Sequence, residues 1–119
     1  RAGVRPAQVV LGGRSYGGRM CSMAVAQGLP AAALVLLSYP LHPPGKPDRL
    51  RTEHFPAIEV PVLVVSGTGD PFGTPAEFDR ELAAIPGPVT TVRLPGGHDP
   101  RRYDEIARIV ADWVADLPG

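Results

Sequence analysis

Cysteine is almost absent. Cys21 is the single one in 119 residues, which excludes an internal disulfide framework and suits a reducing, cytoplasmic compartment. An excess of charge is absent too. Lys plus Arg and Asp plus Glu each number 12, so the formal net charge is zero, and no block of like charge stands out. That removes the electrostatic case for a nucleic-acid partner or an anionic membrane surface. Long hydrophobic runs are missing: the longest, such as 31–37, fall far short of the ~20 residues needed to cross a bilayer. No stretch reads as a signal peptide. There is no internal repeat and no composition shift that marks a domain boundary, so residues 1–119 read as one domain. What is plentiful is proline (15) and glycine (14). They fall at junctions between apolar runs and so read as turn chemistry, not disorder.

Between those junctions strands alternate with helices. Residues 8–12 form a short apolar run without alternation, which predicts a strand buried on both faces. Residues 17–27 read as a mostly buried helix with Met20, Cys21, Met23, Ala24 and Val25, stopped by Gly28 and Pro30. A second buried strand is expected at 32–38 and a third at 62–65. The connection at 39–61 is long, and its prolines 43, 44 and 47 forbid regular structure there. A short helix fits within 48–58, and a connection of this length predicts cover for a site. Thr74-Pro75-Ala76-Glu77 carries a cap, a proline at the first helical position and a capping-box glutamate, predicting a helix to about residue 85. Residues 89–94 alternate in part and predict a strand near an edge. Asp99-Pro100 reads as a second cap-plus-proline start for a last helix, whose apolar stripe runs through Ile106, Ile109, Val110, Trp113, Val114 and Leu117. Trp113 is expected to anchor that helix on the sheet. Four strands alternating with three helices imply right-handed crossovers and a parallel sheet, an α/β architecture.

The first strand stops at Gly12-Gly13-Arg14-Ser15-Tyr16-Gly17-Gly18. Gly13-x-Ser15-x-Gly17 fits the nucleophile elbow, a serine held on a tight strand-to-helix turn. Side chains two before and two after the serine are expected to clash with neighbouring backbone, which explains both glycines. The helix that follows aims its N-terminal N–H groups at a reacting oxygen, and the Tyr16 N–H is the expected oxyanion donor. No lysine follows the glycines, so a phosphate-binding loop is disfavoured.

Serine needs a base, and the base needs an orienting acid. In a parallel sheet the strand C-termini converge on one rim. Asp70 follows the third strand and His98 the fourth, so Ser15, Asp70 and His98 stand in the chain order of a hydrolase triad. Asp99 is assigned instead to capping. Asp70 precedes a proline, but Thr74 already caps the next helix, which leaves the Asp70 carboxylate free. His42 and His54 are expected to make loop contacts; no ligand spacing supports a metal site, and no cofactor is implied. Cys21 reads as a small buried residue, not a nucleophile. Arg14 and Arg19 flank the elbow. Either they meet an acidic group of a substrate or they pair with surface carboxylates.

The stretches 12–20 (Gly-Gly-Arg-Ser-Tyr-Gly-Gly-Arg-Met), 38–47 (Ser-Tyr-Pro-Leu-His-Pro-Pro-Gly-Lys-Pro) and 66–73 (Ser-Gly-Thr-Gly-Asp-Pro-Phe-Gly) resemble the α/β-hydrolase-like family that includes the NSL chromatin-complex regulatory subunit and testis-expressed relatives. More loosely the chain is similar to dienelactone-hydrolase-type proteins, although those proper use cysteine where this chain has Ser15. The resemblance implies a parallel-dominated sheet of about eight strands, of which this chain would hold the last four. It also implies Ser15 as nucleophile, Asp70 as acid and His98 as base. The chain begins at Arg1 and its first strand already leads into the elbow. It is therefore expected to be the C-terminal half of an α/β-hydrolase domain, with the second oxyanion donor outside it. The expected activity is a serine hydrolase acting on an ester, thioester or related small acyl compound. The alternative is a catalytically silent hydrolase-like module used for protein–protein interaction. An unpaired first strand also predicts edge-to-edge self-association.

Overall fold

The computed structural model describes residues 9–118. The polar lead-in and Gln8, the first residue assigned above to a strand, lie outside the described residues. The elements run β1 (Val10–Arg14), α1 (Tyr16–Ala26), β2 (Ala33–Leu37), β3 (Val62–Gly67), α2 (Pro75–Leu82), β4 (Val89–Leu94) and α3 (Tyr103–Ala115). The four strands form one sheet in the order β1-β2-β3-β4, and every pairing is parallel. Each connection is therefore a crossover over one sheet face, and all strand C-termini share one rim.

Burial follows position in the sheet. β3 has a neighbour on each side and cover on both faces, and all six of its residues are buried. β2 is buried except at its last residue. β1 departs from expectation: no residue of it is fully buried, because among the described residues it pairs with β2 alone. An apolar run thus marked a strand suited to a sheet interior, while burial depends on neighbours. β4 is the other edge of the sheet, as its partial alternation predicted, and its Thr90, Thr91 and Arg93 are exposed.

One face of the sheet carries α1, α2 and the 39–61 connection. Leu34, Leu36, Val62 and Val64 pack there with Tyr39, Leu41, Phe55, Ile58, Phe78 and Leu82. The long connection is thus part of the core: Tyr39, Leu41, Phe55 and Ile58 are at most 1% exposed. Its short helix is a single 3-10 turn at Phe55–Ala57. The other face carries α3, whose Ile106, Ile109, Val110 and Trp113 pack on Val35, Leu63, Val65 and Leu94. The Trp113 indole N–H donates to Thr90 Oγ1 at 3.2 Å, which ties α3 to β4.

Two helix starts contrast. At α2, Thr74 Oγ1 accepts from the Glu77 N–H and Glu77 Oε1 accepts from the Thr74 N–H, a complete capping box. The helix ends at Leu82, three residues before the expected stop. At α3 the expected Asp99-Pro100 start is not used. The helix begins at Tyr103 behind Arg102, with no side-chain cap. Arg101 has φ 56°, so the chain turns once more before it coils. The Asp99 carboxylate instead accepts from the Tyr103 hydroxyl at 3.2 Å. α1 is also less buried than its composition suggests: Gly18, Ser22 and Val25 are its buried residues, and Met20 is 36% exposed.

Candidate active site

Ser15 sits between β1 and α1 with φ 53° and ψ −121°, a region that costs a non-glycine residue free energy. Its N–H donates to Leu37 O of β2 at 2.7 Å, and its carbonyl accepts from the Arg19 N–H at 3.1 Å. Sheet and helix thus hold the residue from both sides. A Cβ on Gly13 would lie 2.6 Å from the Gly17 carbonyl carbon and 2.7 Å from the Gly18 nitrogen. The same close approach constrains Gly18, whose Cβ would lie 2.7 Å from Gly13 O. Gly17 is different: a Cβ there meets nothing within 4 Å. The pair that the turn requires is therefore Gly13 and Gly18, not Gly13 and Gly17.

His98 arrives on the loop after β4. A Cβ on Gly67 would overlap the Gly96 and Gly97 carbonyl oxygens, so that loop rests directly on the end of β3. The Gly69 N–H donates to Gly96 O at 2.8 Å, and Gly96 turns the chain with φ 123°. The Phe72 ring lies against the imidazole with centroids 4.2 Å apart. Held in this way, His98 Nε2 lies 2.7 Å from Ser15 Oγ, and its Nδ1 lies 2.8 Å from Asp70 Oδ2. A carboxylate only accepts, so Nδ1 carries the proton and donates. In the neutral ring Nε2 is then the acceptor, and the Ser15 hydroxyl donates to it.

The Asp70 side chain is fully buried, whereas that of His98 is 21% exposed. The two Asp70 oxygens divide their tasks: Oδ1 accepts from the Phe72 N–H at 2.8 Å and Oδ2 accepts from His98. One carboxylate thus both closes its own turn and orients the imidazole. Tyr16 is the first residue of α1, so its N–H has no intrahelical partner and stands beside Ser15.

The remaining candidates separate. The Arg14 guanidinium lies 4.0 Å from Asp99 Oδ2 as an exposed pair. Cys21 Sγ donates weakly to Gly12 O at 3.6 Å behind the elbow. His42 Nε2 donates to Glu77 Oε1 at 2.9 Å. Burial opposes the His42 charge, but the Glu77 and Pro43 hydrogen bonds outweigh it and raise its pKa. The same imidazole, aided by the Thr74 N–H, holds Glu77 down to about 2. His54 Nε2 meets Ser22 Oγ at 2.7 Å. Among the described residues no group of three or more His, Cys, Asp or Glu is placed to hold a metal ion, and no helix is long and apolar enough to cross a membrane. Beside the site, between the ends of β1 and β2 and the start of α3, lies a largely apolar hollow of about 460 Å³ lined by Leu37, Ser38, Pro100, Tyr103, Ile106 and Val110, among others. Sequence reasoning did not single out Phe72 or Gly67. Phe72 follows Asp70-Pro71 and Gly67 ends β3, but nothing local says that a loop 30 residues on will pack there.

A parallel sheet with a strained serine at a strand-to-helix turn and a buried acid on the same rim has the architecture of the α/β hydrolases. The chain belongs to the alpha/beta hydrolase domain family, which it matches over residues 2–107. Two uncharacterized proteins of Mycobacterium tuberculosis are each 36% identical to it over 142 residues, covering 95% of this chain and 50% of theirs. The chain thus spans about half the length of these curated relatives. Among solved structures it is similar to a puromycin-hydrolyzing peptidase of Mycobacterium tuberculosis, with TM-score 0.76, 18% identity, and coverage of 94% of this chain and 22% of that one. It is also similar to a predicted CIB-like hydrolase from Thermoplasma acidophilum, with TM-score 0.70, 21% identity, and coverage of 94% and 53%. The type II thioesterase BorB of the borrelidin biosynthetic cluster gives TM-score 0.66, 20% identity, and coverage of 94% and 64%. At such identities these likenesses speak for the fold alone.

Proposed function

We propose that the chain carries the nucleophile, acid and base of a serine hydrolase that acts on a small ester, thioester or related acyl compound. One observation carries this reading: the continuous hydrogen-bonded line from Ser15 Oγ through His98 to Asp70 Oδ2, at 2.7 and 2.8 Å. His98 takes the Ser15 proton as Oγ attacks the acyl carbon, and a tetrahedral oxyanion forms. The Tyr16 N–H at the head of α1 donates to that oxyanion. His98 returns the proton to the leaving group, and the acyl-enzyme is then hydrolysed by water through the same base. Asp70 holds the imidazole in the tautomer that can accept from serine and stabilises its charged form. The apolar hollow, whose lining includes Arg14 and Asp99, the chain neighbours of Ser15 and His98, offers room for the acyl chain. Within the alpha/beta hydrolases, the motifs at 12–20, 38–47 and 66–73 favour the branch that holds the NSL regulatory subunit and testis-expressed relatives, and a cytoplasmic enzyme without a cofactor fits the composition.

A fluorophosphonate probe applied to the full-length natural protein tests the reading. Labelling is expected at Ser15 and lost in Ser15→Ala. Asp70→Asn should keep the fold and lower kcat by ~10⁴ through the wrong imidazole tautomer. The second reading is a silent, partner-binding module. A folded protein that takes no probe at Ser15 would favour it.

A further inference from the structure

A proton carrier must keep its ring in one orientation, and His98 stands on a loop that gives it freedom. Gly96 and Gly97 directly precede it, and glycine widens the backbone choices of the chain. The imidazole is held by one hydrogen bond at each nitrogen, from Ser15 Oγ to Nε2 and from Nδ1 to Asp70 Oδ2. Both bonds lie in the plane of the ring. They fix two of its points and leave it able to rock about the line that joins them. The point off that line is Cβ, and Cβ is carried by the glycine-preceded backbone.

A further constraint comes from Phe72. Its ring lies over the imidazole with centroids 4.2 Å apart and planes 30° apart, so face meets face and not edge. A surface laid on the face of the imidazole stops the rocking that the in-plane bonds permit. The phenyl ring in turn stands on a pinned backbone. The Phe72 N–H donates to Asp70 Oδ1 at 2.8 Å, and the Phe72 carbonyl accepts from the His42 N–H at 3.1 Å. The next N–H, that of Gly73, donates to Asp70 O at 3.2 Å. One residue thus meets the acid through its backbone and the base through its side chain.

The contact also suits the charge that forms there. An imidazole that takes a proton from serine becomes a cation. The face of an aromatic ring carries partial negative charge and attracts a cation within ~6 Å of its centre. The Phe72 face is in place before the proton moves, so it needs no rearrangement at that moment. An aliphatic side chain of similar bulk covers the imidazole without supplying that field.

We propose that Phe72 is a positioning residue for His98: its aromatic face keeps the imidazole aligned between Ser15 and Asp70 and meets the positive charge that forms on it. This rests on the serine-hydrolase reading. The full-length natural protein is compared with Phe72→Leu and Phe72→Tyr. Each is assayed for hydrolysis of nitrophenyl hexanoate, for fluorophosphonate labelling at Ser15, and for the downfield proton NMR resonance of His98 Nδ1–H, which the hydrogen bond to Asp70 produces. Phe72→Leu should lower kcat by about tenfold while KM changes by less than about twofold, and its resonance should broaden or vanish. Phe72→Tyr keeps the aromatic face and should keep both kcat and the resonance. Labelled wild type together with an unchanged kcat in Phe72→Leu, an equal fall in Phe72→Tyr, or a change confined to KM overturns the assignment and leaves the hydrolase reading standing. Folded wild type that takes no label overturns the hydrolase reading, and the resonance then decides the positioning role by itself. Its loss in Phe72→Leu with retention in Phe72→Tyr supports that role, and a sharp resonance in both overturns it. If Phe72→Leu does not fold, Phe72→Met, which refills the space without a ring, takes its place.

Discussion

At the scale of single residues, the elbow shows how closely a reactive side chain depends on its unreactive neighbours. Ser15 holds a positive φ because the chain must leave β1 and enter α1 within one residue, and that turn brings Gly13 against Gly18. Gly17, which belongs to the motif by sequence, has open space where a side chain would start. A pair of substitutions distinguishes the two roles. Gly18→Ala is expected to destabilise the protein by about 2 kcal/mol or more, because its Cβ would press on backbone that cannot yield. Gly17→Ala is expected to be neutral or to stabilise by up to ~1 kcal/mol, since alanine favours the helix. Denaturant unfolding of the two variants beside wild type measures both. Equal losses would mean that the glycine after the serine is required for a reason other than space. Phe72 and Gly67 make the same point from the other side: one steadies the His98 ring and the other gives its loop a seat.

At the scale of elements, the start of α2 is the most fully specified piece of the chain. Thr74, Pro75 and Glu77 are legible because a capping box is local: every atom it needs lies within four residues. The sequence does not disclose the second duty of Glu77, which binds His42 from the 39–61 connection. That pair links α2 to the segment beside the site, and its pH dependence has a definite sign. Glu77 is depressed to about 2, so its stabilisation is complete above the unfolded carboxylate value near 4.5 and fades as pH falls toward 2. The His42 pKa is raised from 6.5, so its stabilisation is complete below that value and fades as pH rises through the folded pKa. Glu77→Gln keeps an acceptor but loses the charge. It should cost about 1–2 kcal/mol in the window between those limits, with the gap to wild type narrowing on both sides. Thermal or urea unfolding over a pH series reads the difference, and a gap constant with pH would show that the charge does not matter. α3 teaches the reverse lesson. Asp99-Pro100 has the local chemistry of a helix start, yet the helix begins at Tyr103. The reason is tertiary: the segment behind His98 must first carry the imidazole to Ser15 and turn back at Arg101.

At the scale of the whole molecule, β1 is the element whose surroundings most affect behaviour. It bears the elbow, pairs on one side with β2, and among the described residues has no partner on the other. Its unpaired N–H and C=O groups, with Val10 and Leu11 only part-buried beside them, make a template for another strand. This 119-residue chain is therefore expected to self-associate through that edge, with a sedimentation mass above one chain at micromolar concentration that falls on dilution. A monomer at every concentration would show the edge to be protected. The sequence by itself determined the alternation of strands and helices, the capping of α2, the apolar stripe of α3 and the order of Ser15, Asp70 and His98, because each is written in neighbouring residues or in their succession along the chain. Only the tertiary structure decided that the 39–61 connection enters the core, that Gly18 and not Gly17 is the pinched glycine, that Asp70 serves a turn and an imidazole together, and that Arg14 faces the Asp99 carboxylate. Those outcomes depend on atoms brought together from distant parts of the chain, and a sequence pattern records what a residue can do locally, not which residue will be opposite it.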